Sequence, residues 1–166
     1  MLSGGIALKA IKPGLAHDAK FVQRFTQEAI LTRRLRHPNA VRVDDIDKAE
    51  DETPFIVMEY IEGRTLKEVM QSEGPMPVPC VCAAVKQVAA ALQAAHELGM
   101  IHRDIKPANI VLLDGGAAVR SAREGRPVNR KISQWPDHLI AKVLDFGIAK
   151  IKEGSLEDSR YGTARN

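Results

Sequence analysis

The sequence predicts an α+β fold arranged as two lobes. Three observations carry that expectation. Residues 5–60 hold three short strand-like runs with one amphipathic helix inserted among them. Residues 78–144 hold a long Ala-rich helix followed by two short apolar runs. Between the two sets lies a polar junction near residues 59–63. At 166 residues the chain is long enough for one domain or one and a half. A chain of this size can bury a real core. Aromatic residues make up only 4%, so Ala, Val, Ile and Leu must build that core.

Each element has a local cause. Residues 5–11 (GIALKAI) form a β-branched-rich run ended by Lys12-Pro13-Gly14, and read as a strand. Asp18 can cap a helix running to about Arg36. Phe21, Phe25, Glu28, Thr32 and Leu35 recur at helical spacing on one face of it. His37-Pro38-Asn39 ends it. Residues 41–46 and 55–60 read as strands around an acidic turn at 47–53. Thr65 and Glu68 fit a capping box that opens a short helix. The Ala-rich helix spans about 78–98, with Val81, Val85, Val88, Leu92 and Ala95 on one face and Gly99 as its stop. Residues 110–113 and 139–144 read as strands, separated by a basic, loop-like stretch at 114–138.

Composition excludes several classes. A net charge of +3 is too small to argue for nucleic acid or a membrane surface. Cys80 and Cys82 lie two apart in the long helix, point to different faces and read as small buried side chains. Two thiols make neither a disulfide framework nor a structural zinc site. The expected setting is reducing and cytoplasmic. The first residues, MLSGGIALKAIKPG, contain no apolar run long enough for a signal peptide or a span, so no membrane segment is expected.

The stretch 101–110, IHRDIKPANI, packs Arg103, Asp104, Lys106 and Asn109 between isoleucines around Pro107. Pro107 blocks a regular helix, and the isoleucines can pin the segment to a core. A pinned loop holds a base and a ligand with little freedom, as catalysis requires. Asp145 follows an apolar strand and precedes Phe-Gly. A carboxylate and an amide oxygen that converge suit magnesium, a hard cation. Lys106 places a positive charge two residues from Asp104. Base, cation and metal ligands together suit the movement of a phosphoryl group.

These residues carry a resemblance. His102-Arg103-Asp104-Ile105-Lys106-Pro107-Ala108-Asn109 resembles the catalytic loop of protein kinases, and Asp145-Phe146-Gly147 their metal-binding triplet. Ile6-Ala7-Leu8-Lys9 resembles the strand that ends in the ATP-phosphate lysine, and the run around Glu28 the helix that carries its partner. Residues 57–63 (VMEYIEG) resemble the inter-lobe hinge. The wording is similar to that of the eukaryotic-type serine/threonine kinases of bacteria. The resemblance implies a kinase-like fold, ATP and Mg2+, and a protein substrate with a Ser or Thr acceptor. It implies that Asp104 takes the hydroxyl proton and that Lys106 stabilises the transferred phosphate. It implies Asn109 and Asp145 as magnesium ligands, and Lys9 as a phosphate grip paired with Glu28. Met58 would be the gatekeeper, with the backbone of Glu59 and Ile61 on adenine. Arg103 would meet a phosphorylated Ser155, Ser159 or Thr163.

The chain departs from that pattern at both ends. No Gly-rich hairpin precedes Ile6, and no Ala-Pro-Glu follows Thr163. Residues 1–60 are therefore read as a partial small lobe, and 61–166 as a partial large lobe with an insertion at 114–138. The insertion reads as a solvated loop, with a regulatory docking site as the alternative. The expected activity is serine/threonine phosphorylation, with weak or no turnover from these residues alone. The alternative is an incompetent remnant that binds nucleotide or a partner.

Overall fold

Strand β1 (Ile6–Ala10) alternates exposed and half-buried residues, as a strand with one packed face does. The computed structural model describes residues 5–115 and 138–146. In it β1 pairs antiparallel with β3 (Pro54–Glu59), which pairs antiparallel with β2 (Val43–Lys48), giving the order β1-β3-β2. Helix α1 (Ala19–Arg34) begins at Asp18, whose carboxylate accepts from the backbone N–H groups of Lys20 and Phe21. It lays Phe25 and Ala29 on the sheet, where they meet Ile11, Val43 and Ile56 in a first core. The stripe read from the sequence faces inward: Phe25, Thr32 and Leu35 are buried and Phe21 packs at the core's edge.

A second sheet runs β4-β5-β6, built from β4 (Arg64–Thr65), β5 (Ile110–Asp114) and β6 (Leu139–Val143). The two-residue β4 is too short to carry a periodicity and was not foreseen. Helix α2 (Leu66–Glu73) opens on the expected capping box, with both Thr65 and Glu68 bonds made. Helix α3 (Val78–Glu97) packs on β6 over a second core that includes Leu35, Val69, Cys80, Leu112, Val143 and Phe146. The architecture is α+β, with one core under each sheet.

Helix α3 corrects two expectations. Its buried residues are Cys80, Ala84, Val88, Ala91 and Ala95, whereas Val81 and Val85 are exposed. The packed stripe is rotated by about one residue from the valine-rich one. Small side chains let the helix approach β6 closely, and that selects the alanine face. Cys82 is exposed for the same reason, while Cys80 is buried as expected. By length and composition alone α3 could cross a membrane, but its small-residue face is packed into this core.

Two devices join the lobes. The chain crosses at Gly63, where an added Cβ would stand 2.6 Å from Val111 Cγ1 and 2.7 Å from the Leu112 carbonyl oxygen. Only glycine permits that approach. The second device is polar. Val143 N–H donates to the Asn39 carbonyl at 2.8 Å, and Val41 N–H donates to the Val143 carbonyl at 2.9 Å. Gln87 of α3 accepts from Asn39 Nδ2 at 2.7 Å and from Ala141 N–H at 3.0 Å, and donates to the Leu139 carbonyl at 2.7 Å. One amide thus fastens the loop after α1 to β6.

Removing that amide strands buried backbone groups, at about 1–3 kcal/mol. Gln87→Ala is therefore expected to lower stability by about 2 kcal/mol in denaturant unfolding, and Lys86→Ala, exposed on the same helix, by less than about 0.5 kcal/mol. Equal effects of the two changes would contradict the clasp.

Candidate active site

The loop between α3 and β5 carries no regular secondary structure until a short 3-10 turn at Pro107–Asn109. It is pinned instead by side chains. His102 is buried, and its Nε2 lies 2.7 Å from the Leu144 carbonyl oxygen. Its Nδ1 accepts from Asp104 N–H at 3.3 Å. The Nε2–H tautomer satisfies both bonds. The ring also stands edge-on to Phe146, with centroids 5.0 Å apart. Leu144 N–H donates to the Asn109 carbonyl at 2.9 Å, so the loop is fixed at both ends to one residue.

Within that frame the polar side chains converge. Lys106 Nζ stands 2.7 Å from Asp104 Oδ2. Asn109 is buried, and its Nδ2 donates to the Asp104 carbonyl at 2.9 Å and to Asp104 Oδ2 at 3.1 Å. With its amide nitrogen committed, Asn109 has its oxygen left to offer a cation. Lys9 Nζ reaches across from β1 to Asp145 Oδ1 at 2.5 Å, with both side chains about a third exposed. Arg103 and Asp145 have φ of 60° and 58°, and Glu52 is the one other non-glycine residue with positive φ among those described. Held strain of this kind gathers at functional sites.

Lys9, Asp104, Lys106, Asn109 and Asp145 thus line one region. Met58 lies on β3 beside the first core, with Glu59 and Ile61 after it. One expected pair is replaced: Lys9 bonds Asp145, and no Lys9–Glu28 ion pair occurs among the described residues. Glu28 Oε2 is buried without a hydrogen-bond partner among them. It borders a pocket formed with Thr32, Met100, Arg103 and Phe146. Glu28 belongs to α1 and Asp145 to the other lobe, and the single lysine tip has gone to the second. The sequence also missed Thr32, whose hydroxyl bonds the Glu28 carbonyl at 2.8 Å and the Phe146 carbonyl at 3.1 Å. Its place on the inward stripe was the available signal. Residues 116–137, Gly147, Ser155, Ser159, Tyr161 and Thr163 lie outside the described residues.

Burial raises the Glu28 carboxyl above its ordinary value near 4.5, against the weaker pull of Arg103, Arg24 and Lys9. A carboxyl raised in this way destabilises the fold as pH climbs through its raised value, and costs nothing below the ordinary range. Glu28→Gln is therefore expected to melt higher than wild type at pH 7, with the gap closing toward pH 4.5. Melting curves that run parallel across that range would contradict the assignment.

Comparison with known proteins agrees with this geometry. The family model for the protein kinase domain matches residues 3–165. The chain is 38% identical over 150 residues to the serine/threonine-protein kinase pkn3 of Myxococcus xanthus, covering 90% of this chain and 24% of that protein. It is 36% identical over 148 residues to the serine/threonine-protein kinase PknB of Mycobacterium leprae, covering 87% and 20%. The crystal structure of the Mycobacterium tuberculosis PknI kinase domain superposes with a TM-score of 0.64 at 33% identity, over 87% of this chain and 50% of that one. The chain spans about a quarter or less of these curated relatives and half of the solved domain. With its catalytic-loop residues gathered beside Asp145 and a family match over nearly its whole length, the chain belongs to the protein kinase family, in the company of the bacterial serine/threonine kinases.

Proposed function

We propose that the chain is the catalytic region of a serine/threonine protein kinase, moving the γ-phosphate of ATP to a protein Ser or Thr hydroxyl. One observation carries the reading: the Asp104 carboxylate sits between Lys106 Nζ at 2.7 Å and Asn109 Nδ2 at 3.1 Å, on a loop tied to the segment that holds Asp145. In this reading residues 1–60 form the small lobe and 61–166 the large one, with ATP between them. The backbone of Glu59 and Ile61 takes adenine beside the gatekeeper Met58.

The chemistry follows from the donors. Asp104 orients the acceptor hydroxyl and takes its proton as oxygen bonds to the γ-phosphorus and the bond to ADP breaks. Lys106 is close enough to stabilise charge on the transferred group. Lys9 grips the non-transferred phosphates once it leaves Asp145. Asn109 and Asp145 offer one amide and one carboxylate oxygen, a hard-donor set that fits magnesium. When bound, that ion neutralises phosphate charge. Asn109, whose other polar atom is spent on Asp104, couples the cation position to the base.

A second reading, an incompetent remnant that binds nucleotide, is favoured by the buried Glu28 Oε2, which has no hydrogen-bond partner among the described residues. Phosphate transfer from labelled MgATP to a generic basic protein separates the two. The kinase reading expects a rate that Asp104→Ala lowers by at least about a hundredfold, with MgATP affinity unchanged. Even a slow rate suffices, since the variant sets the background. Wild type that binds MgATP and transfers no faster than Asp104→Ala is the remnant.

A further inference from the structure

Lys142 belongs to none of the motifs that mark the site. It lies on β6, opposite Val111 of β5. Its Nζ donates to Glu59 Oε1 at 2.5 Å, across 83 residues of sequence. The same oxygen accepts from Arg42 N–H at 2.8 Å. Glu59 N–H in turn donates to the Arg42 carbonyl at 3.0 Å. The Glu59 carboxylate therefore gathers one donor from the second sheet and one from the chain entering β2.

This pair is more buried than other ion pairs of the first sheet. Lys48–Glu52 and Arg42–Asp44 are mostly exposed at one or both ends, and such pairs contribute little. The side chains of Lys142 and Glu59 are 19% and 20% exposed. Withdrawn from water, each charge depends on the other, and removing one strands its partner. The residue it holds begins the segment 59–61. Downstream the path is closed by Gly63, which lies so near Val111 and Leu112 that an added Cβ would collide with both. The segment is thus fixed to the second sheet at two points, one by contact and one by charge.

We propose that Lys142 is a positioning residue of the nucleotide site. Through the Glu59 carboxylate it sets the distance of the main chain at 59–61 from β6, and with it the width of the slot for the adenine base. The inference rests on the kinase reading, in which that main chain binds adenine. Its consequence is selective: loss of Lys142 weakens what holds the base and leaves what holds phosphate alone.

The test is calorimetric binding of MgATP and MgADP to the 166-residue chain, below its melting temperature. The proteins are wild type, Lys142→Met, Lys142→Arg, Glu59→Gln and the double variant Lys142→Met/Glu59→Gln. Lys142→Met is expected to weaken both nucleotides by about five- to tenfold. Lys142→Arg should keep most of the affinity. The double variant should lose no more than the worse single one, because both remove one interaction. Inorganic tripolyphosphate, which has no base, should bind wild type and Lys142→Met alike. If Lys142→Met does not fold, Glu59→Gln carries the same expectation. Unchanged nucleotide affinity, even with a lowered melting temperature, overturns the proposal and leaves the kinase reading standing. So does an equal loss for tripolyphosphate. A folded wild type that binds neither nucleotide overturns the kinase reading, and this proposal with it.

Discussion

Four consecutive residues, 143–146, hold the site together. Val143 exchanges backbone bonds with Asn39 and Val41 of the first lobe. Leu144 takes both ends of the catalytic loop, through Asn109 and His102. Asp145 takes Lys9 from β1. Phe146 accepts from Thr32 of α1 and packs against His102. Each residue answers to a different element, so the segment can occupy one position only when all four are in place. The distances within the site are consequences of that constraint. The loop at 101–109 holds a buried asparagine and a fixed carboxylate because Leu144, the residue after β6, bonds both of its ends.

The same constraint explains what the cleft leaves unsettled electrically. Lys9 can meet either of two carboxylates, and the strand end brings Asp145 to it. Glu28 is left half-buried and without a partner among the described residues, raised by burial against the pull of Arg103, Arg24 and Lys9. A ligand that brings its own cation to Asp145 would free the lysine. Lys9 still pulls weakly on the Glu28 carboxyl while its ammonium bonds Asp145.

Much of this was legible in the sequence, for identifiable reasons. The caps at Asp18 and Thr65 are local chemistry, and both hold. The stripe on α1 is wide and carries two phenylalanines, so its face could be read. The stripe on α3 was displaced because the more apolar valines mark one face, while packing on β6 selects the smaller side chains of another. The residues at 102–109 and 145 could be named because their types are unusual between isoleucines. Gln87 and Lys142 could not be, and Thr32 showed only its place on the inward stripe, since each acts through a partner more than fifty residues away. Gln87 in particular reads as an ordinary polar residue on a helix. Only the tertiary arrangement turns its amide into a clasp.

In the proposed cleft, Lys9 and Asp145 face one nucleotide between the two small cores. Thermal unfolding of the purified 166-residue chain with and without saturating MgATP tests it most directly. At a ligand concentration about 100 times the dissociation constant, binding adds about 2.7 kcal/mol to stability. One cooperative transition is expected to move upward by an amount of that order, with a smaller movement when Lys9 is replaced by methionine. A broad transition that ignores nucleotide would contradict it, because the residues of the site would then be present without being assembled.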